Sequence, residues 1–367
     1  MEFSTDPAFA DQLDASDSLA AFRAEFELPE SPAIYFVGNS LGPLPKRVRA
    51  AVGAELDRWG SLGVEGHFTG GRTEGDVGWV DEHRLVTGPI GRIVGGNDDE
   101  VVVMNALTVN LHLLMVSFYA PTPERHKILI EEHAFPSDHF AVESQIRQRG
   151  FDPATSLVTV SPQAGSELLE PDDIMAAIAE HGDELALVLL PGVQYYTGQV
   201  LPMADIVAAG HSVGARVGID LAHAVGNVEL HLHDWNVDFA TWCSYKYLNS
   251  SPGGVSGIFV HRRHVADESL AKFLGWWGTN PDTRFEMVNE FDAVHSAESW
   301  QISNSPILQM AAHRASLEIF DEAGGVAALR LKSQQQTAYL QFLIDEMFAG
   351  RVASITPNDP DLSLIHI

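Results

Sequence analysis

From about residue 50 onward, short apolar runs alternate with helix-length amphipathic stretches. The runs are EVVVMNA, HKILIEEH, SLVTVSP, LALVLLPG, ARVGID, FATWCSY and VSGIFVHR. Each holds three to six apolar residues, too few for a buried helix, and the longer segments between them suit crossover helices. That spacing predicts a mainly parallel sheet covered by helices on both faces, a three-layer α/β/α domain. After Asn304 the pattern lengthens to helical periodicity in PILQMAAHRASLEIFDEAGG and VAALRLKSQQQTAYLQFLIDEMFAG. Leu329, Leu340, Phe342, Leu343 and Met347 are expected to share one side of the second helix, at the entry to a smaller domain.

Composition narrows the function classes. At 367 residues the chain exceeds the length at which one core keeps growing, and 45% hydrophobic residues suffice to bury it. Fifty acidic against 22 basic residues give a formal net charge of -28, which repels nucleic acid and anionic membranes, so neither is expected as a partner. An anionic ligand needs a local positive pocket, for which helix N-termini and a few cations serve. Cys243 is the sole cysteine, which leaves no disulfide framework and no cysteine zinc site. The acidic start MEFSTDPAFADQLDASD has no apolar core, and no apolar run approaches the ~20 residues that span a bilayer. A cytoplasmic protein is the expectation.

In open α/β sheets ligands gather at the carboxyl ends of strands, so the residues after each apolar run carry the candidate chemistry. ARVGID ends in Asp220, with His223 three residues on. A carboxylate there either caps a following helix or holds a pyridine nitrogen protonated. Lys246 follows FATWCSY and has no charged neighbour in sequence from Phe239 to Val260. Such a lysine either snorkels at a domain edge, or sits where its ammonium is disfavoured and its amine is free to attack a carbonyl. Thr108 stands where EVVVMNA runs into a helix; it is a helix cap, or the amides of Leu107 and Thr108 seat a phosphate. After HKILIEEH, Phe135 and Asp138 either start a helix or offer an aromatic plate to a planar heterocycle.

Lysine, carboxylate, phosphate seat and aromatic plate are together the parts of a pyridoxal 5'-phosphate site. The segments YFVGNSLGPLP, GVEGHFTGG, MNALTVNLHLL, EEHAFPSDHFAVESQ, GIDLAHAVGN, CSYKYLNSSPGG, GWWG, TRFEM and ISNSPILQ follow in an order that resembles the kynureninases over about residues 30 to 350. The resemblance implies a fold-type-I pyridoxal-phosphate enzyme. Residues 1–50 would contribute to the small domain and the mouth of the site, 51–300 would form the large cofactor-binding domain, and 301–367 would begin a C-terminal small domain. It implies that Lys246 carries the cofactor as an imine and moves protons, that Asp220 pairs with the ring nitrogen, and that Tyr245 is an acid or base in carbon–carbon cleavage. Phe135 and His223 would border the ring, Asp138 would support it from the same motif, and Pro136 and Ser137 would also bind the cofactor. Leu107, Thr108 and Tyr245 would hold the phosphate, joined by Trp276 and Asn304 from the second subunit of a homodimer. Ser40, His67 and Asn304 would line the substrate pocket. The implied reaction is hydrolysis of L-kynurenine, or its 3-hydroxy form, to anthranilate, or 3-hydroxyanthranilate, and L-alanine.

Three other readings compete. A cysteine desulfurase or aminotransferase shares Asp-x-x-His and a downstream lysine, but the desulfurase needs a mobile cysteine, and Cys243 falls at a strand end. A metal site could use His231, His233 and Asp234 of ELHLHDWNVD, although such histidines are more often bland, and no metal is expected. A cofactor-binding but inactive chain is the third. The family's C-terminal arginine segment has no match after Arg351, and the ending LSLIHI is expected to be a foreign tail on a truncated gene.

Overall fold

The computed structural model describes residues 2–30, 34–70 and 77–359. The C-terminal tail on which the truncation reading rests, Asp361 to Ile367, lies outside the described residues, as does part of GVEGHFTGG. In chain order the elements are α1 (Pro7–Ser16), β1 (Phe26–Glu27), β2 (Leu44–Pro45), α2 (Arg47–Leu62), α3 (Thr87–Val94), β3 (Val101–Val103), α4 (Leu107–Phe118), β4 (Lys127–Glu131), α5 (Pro136–Gln148), α6 (Pro153–Ser156) and β5 (Leu157–Val160). Then come α7 (Pro171–His181), β6 (Leu185–Pro191), α8 (Met203–Ser212), β7 (Arg216–Asp220), β8 (Phe239–Cys243), β9 (Ser256–Val260), α9 (Arg262–Val265), α10 (Ile307–Glu322) and α11 (Gly325–Phe348).

All seven apolar runs are strands of one sheet, in the order β3-β9-β8-β7-β6-β4-β5. The pairs β5–β4, β4–β6, β6–β7 and β7–β8 are parallel, whereas β9 runs antiparallel to both β8 and β3. Alternation along each strand divides the apolar side chains between two cores. In β6, Leu187 and Leu189 face α4 and α5 with Leu114, Phe118, Val142 and Ile146. Val188 and Leu190 face the other side, with Ile178 of α7, Ile206 of α8 and Leu317 of α10. Each leucine so enclosed contributes roughly 1.5–3 kcal/mol relative to exposure. Helices thus cover both faces, giving the three-layer α/β/α architecture with a mainly parallel sheet.

Both helices expected after Asn304 form as α10 and α11. On α11, however, Phe342 does not share the side of Leu329. Leu329 packs toward the sheet's core, while Phe342 lies against Phe3, with ring centroids 5.6 Å apart, and neighbouring Tyr339 meets Phe9 at 5.5 Å. At about 100° per residue, the thirteen steps from Leu329 to Phe342 carry the side chain to the far side of the helix, where the N-terminal segment covers it.

Candidate active site

The carboxyl ends of β4, β6, β7 and β8 and the N-termini of α4 and α5 surround a cavity of about 370 Å³. Asn105, in the left-handed region at φ 49°, turns β3 into α4, and its amide donates to Asn110, whose own amide donates to the Met104 carbonyl. No side chain caps α4 at Ala106. The first amides of the helix, at Leu107 and Thr108, therefore border the cavity uncapped, as an anion seat requires. Thr108 is not the cap; its hydroxyl shares a 2.7 Å hydrogen bond with Ser137 of α5, joining the two helix starts.

Asp220 ends β7 and is buried, with Oδ1 accepting the Ala222 amide at 2.6 Å. The chain then continues as turns, so Asp220 caps no helix. Its carboxyl also hydrogen-bonds Asp138. Burial, followed by the Asp220 charge, pushes Asp138 well above the usual carboxylate range, so Asp138 holds the shared proton and donates it to Asp220. Burial raises Asp220 as well, against the lowering by Asp138, the Ala222 amide and Lys246.

Lys246 Nζ lies 2.8 Å from His223 Nε2 and 5.9 Å from the centre of the Phe135 ring. Its isolation in sequence is not isolation in space, because the fold brings Asp220 and Asp138 within electrostatic reach of the amine. Phe135 is half exposed, with Tyr195 edge-on at 5.3 Å, and offers a face to the cavity. Burial, with Cys243 and Asp220 adding to it, pushes the Tyr245 phenol up to about 12. The Tyr245 carbonyl accepts the Gly42 amide at 2.9 Å, which brings the loop with Asn39 and Ser40 to the cavity's edge. A Cβ on Gly42 would overlap Asn249 Oδ1 and the Lys246 carbonyl, so only glycine permits that approach.

The fold therefore gathers Ser40, Leu107, Thr108, Phe135, Ser137, Asp138, Asp220, His223, Tyr245 and Lys246 around one cavity. It leaves Pro136, His67, Trp276 and Asn304 off the lining. Pro136 opens α5, and Asn304 is exposed. His67 meets Trp79 edge-on at 5.4 Å, and Trp276 donates its indole N–H to the Arg284 carbonyl.

Three polar lining residues escaped the sequence reading. Asn39 precedes Ser40, and Tyr195 follows β6, where the strand-end rule applied to GVQYYTGQV points to it. Glu131 is the last residue of β4 itself. It is 3% exposed, Oε2 has no hydrogen-bond partner, and burial, with the Asp220 charge adding, pushes it up to about 8. Nothing in EEHAF distinguishes that glutamate from its exposed neighbour Glu132.

The histidines of ELHLHDWNVD do not assemble as the metal reading required. His231 turns to Trp235, whereas His233 Nδ1 lies 2.9 Å from Glu100 and its ring stacks 5.0 Å from His261. Glu100 also accepts the backbone amides of Asn97 and Arg262, and His261 Nδ1 accepts that of Arg263; Glu100, His233 and His261 thus form a cluster with ligand atoms within 4.8 Å of one another, which includes neither His231 nor Asp234.

Residues 82–367 match the aminotransferase class-V family. Solved structures share the fold: a C-DES mutant with glycine covalently linked to the PLP cofactor (TM-score 0.71, 18% identity, 86% of this chain and 78% of that one). The apo cysteine desulfurase from Thermococcus onnurineus NA1 is similar too (TM-score 0.69, 14% identity, 99% and 81%). Identity is far higher to kynureninases. The protein of Koribacter versatilis (strain Ellin345) is 51% identical over 98% of this chain and 84% of its own length. That of Xanthomonas campestris pv. campestris (strain B100) is 52% identical over 97% and 84%. Half-identity sustained over nearly the whole chain, on this fold and around this cavity, means that the chain belongs to the kynureninase family.

Proposed function

We propose that the chain hydrolyses L-kynurenine, or its 3-hydroxy form, to anthranilate, or 3-hydroxyanthranilate, and L-alanine at this cavity. The observation that carries the reading is the convergence of a lysine amine, a buried carboxylate, an uncapped helix start and an aromatic face on one space. Those groups fit the cofactor. When bound, pyridoxal 5'-phosphate supplies an electron sink for the bond broken at the substrate's α-carbon.

The remaining chemistry is assigned to the chain's own residues. The amides of Leu107 and Thr108 and the Ser137 hydroxyl would hold the phosphate, and Phe135 and His223 would border the ring. Asp220, supplied with a hydrogen bond by Asp138, presents its negative charge to the ring nitrogen. Lys246 would hold the cofactor through its amine and, once free, would take the α-proton at Nζ. Tyr245 Oη keeps its proton throughout the neutral range and so serves as the acid when the carbon–carbon bond opens. Ser40 orients the substrate at the mouth.

Trp276, Asn304 and His67 are assigned to the site of a second copy, since they lie off their own chain's cavity. The working enzyme is then a homodimer, with residues 51–300 as the cofactor-binding domain and 1–50 and 301–367 contributing the smaller one. Among the described residues no helix is long and apolar enough to cross a membrane; the compartment is proposed to be the cytoplasm. The test is to add L-kynurenine to the purified, cofactor-loaded protein and follow anthranilate fluorescence. Faster sulfide release from cysteine would instead favour a desulfurase.

A further inference from the structure

His67 and Trp276 sit far apart in sequence, yet a continuous row of rings joins them. His67 stands 6.2 Å from Phe68, Phe68 is edge-on to Phe285 at 5.2 Å, and Phe285 is edge-on to Trp276 at 5.3 Å. Phe68, Phe285 and Trp276 are 59%, 45% and 46% exposed, so the row presents an apolar face outward. A row of rings on loops needs something to hold it, because loop backbone samples many conformations.

A buried arginine holds each end. Arg58, 8% exposed on α2, directs Nη2 at three backbone carbonyls: Gly66 at 3.2 Å, Thr69 at 2.5 Å and Val77 at 2.6 Å. Its guanidinium lies over the Trp79 ring, 5.3 Å from the centroid. Glu55 accepts from both Arg58 and the Trp79 indole N–H. Gly66 fits flat on Trp79, where an added Cβ would come within 2.7 Å of the ring. At the other end Arg284, 4% exposed, donates to the carbonyls of Trp277 and Thr279. In a chain with only 22 basic residues, two are thus buried to fasten loop backbone. A desolvated guanidinium bonded to several carbonyls is costly to disturb, which makes it an effective anchor.

We propose that Arg58 is a positioning residue: it fastens residues 66–69 to 77–79 so that His67 and the ring row form a preset wall of the substrate pocket in the neighbouring subunit. This rests on the shared-site reading above. Arg58 itself touches neither substrate nor cofactor; it acts through the Gly66, Thr69 and Val77 carbonyls and through Trp79.

The experiment uses cofactor-loaded full-length protein. Arg58→Met keeps the apolar stem over Trp79 and removes the donors. The expected result is a rise of tenfold or more in KM for L-kynurenine, an unchanged imine absorption spectrum, and faster amide hydrogen exchange confined to residues 66–69 and 77–79. Gly66→Ala, which displaces Trp79 and leaves Arg58 in place, should reproduce the KM effect, and it stands in if Arg58→Met does not fold. Steady-state constants within twofold of the parent, or unaltered exchange, overturn the proposal.

Mixed dimers separate it from the reading beneath it. Co-expressed Arg58→Met and Lys246→Ala chains should show a component with the parental KM, which neither homodimer has, because one site of the hybrid has an intact lysine and an intact wall. Recovery with a Trp276→Ala partner but not with Arg58→Met overturns the role of Arg58 and leaves the shared site standing. Recovery in neither pair overturns the shared site as well.

Discussion

Lys246 Nζ and His223 Nε2 stand 2.8 Å apart, so the amine is held by a side chain from the turn that follows Asp220. Lys246→Ala should abolish the borohydride-fixable label on the holoenzyme. A label that persists, or that maps to Lys272 or Lys332, would place the imine elsewhere. His223→Phe keeps a ring and loses the hydrogen bond. The imine uses the same Nζ, so that bond belongs to the free amine alone, and its loss should leave cofactor affinity in equilibrium dialysis no weaker than the parent's.

The two aspartates should respond unequally to the same substitution. Asp138 donates to Asp220, and an amide still donates, so Asp138→Asn should cost less than about tenfold in kcat. Asp220→Asn removes the charge facing the ring nitrogen and should cost a hundredfold or more. Thermal melts of both apoproteins should stay near the parent. Equal losses of kcat in the two variants would contradict the assignment of the proton.

Cys243 is 1% exposed, and burial, its main cause, pushes the thiol up to about 11. Almost no thiolate exists at neutral pH, so reaction with an aromatic disulfide should take hours in native protein and seconds in denaturant. Cys243→Ser should keep kynurenine turnover. Sulfide release from cysteine by the parent that disappears in this variant would revive the desulfurase reading.

Glu131 makes stability depend on pH in a defined direction. Its carboxyl moves from an ordinary 4.5 in the unfolded chain to about 8 in the fold. Between those values the unfolded chain releases a proton that the folded one keeps. Stability therefore falls as pH rises through this window, by up to about 1.4 kcal/mol per pH unit, and levels off above it. Glu131→Gln removes that slope. Urea melts of the two apoproteins at pH 5 and pH 8 should show the variant gaining on the parent as pH rises; a constant difference would rule out a buried acid.

The parts of this protein written into local sequence were legible, and those made by tertiary contact were not. Apolar runs and strand ends give the seven strands and place Asp220, Lys246, Thr108 and Phe135, because strand length and ligand position are properties of short segments. Glu131 was invisible, since its burial depends on β6 and the loop beyond it. The face of α11 was misread, because what covers Phe342 is a phenylalanine at position 3. Lys246 looked alone because its carboxylate neighbours come from β7 and α5. The metal reading failed likewise: the partners of His233 are Glu100 and His261, from elements the segment itself does not contain.

The hydrogen bond from Gly42 to Tyr245 joins the first part of the chain to the last strands of the sheet. On the ribosome, the GNSLG loop emerges long before its acceptor exists, and at roughly 5–20 residues per second the interval is about 10–40 s. During that time the loop has nothing to dock on, and closing so long a segment is entropically the slowest kind of contact to make. The mouth of the cavity is accordingly among the last features to assemble. The nascent chain should be unable to retain pyridoxal 5'-phosphate until synthesis has passed residue 246, which makes cofactor capture a marker of nearly completed folding.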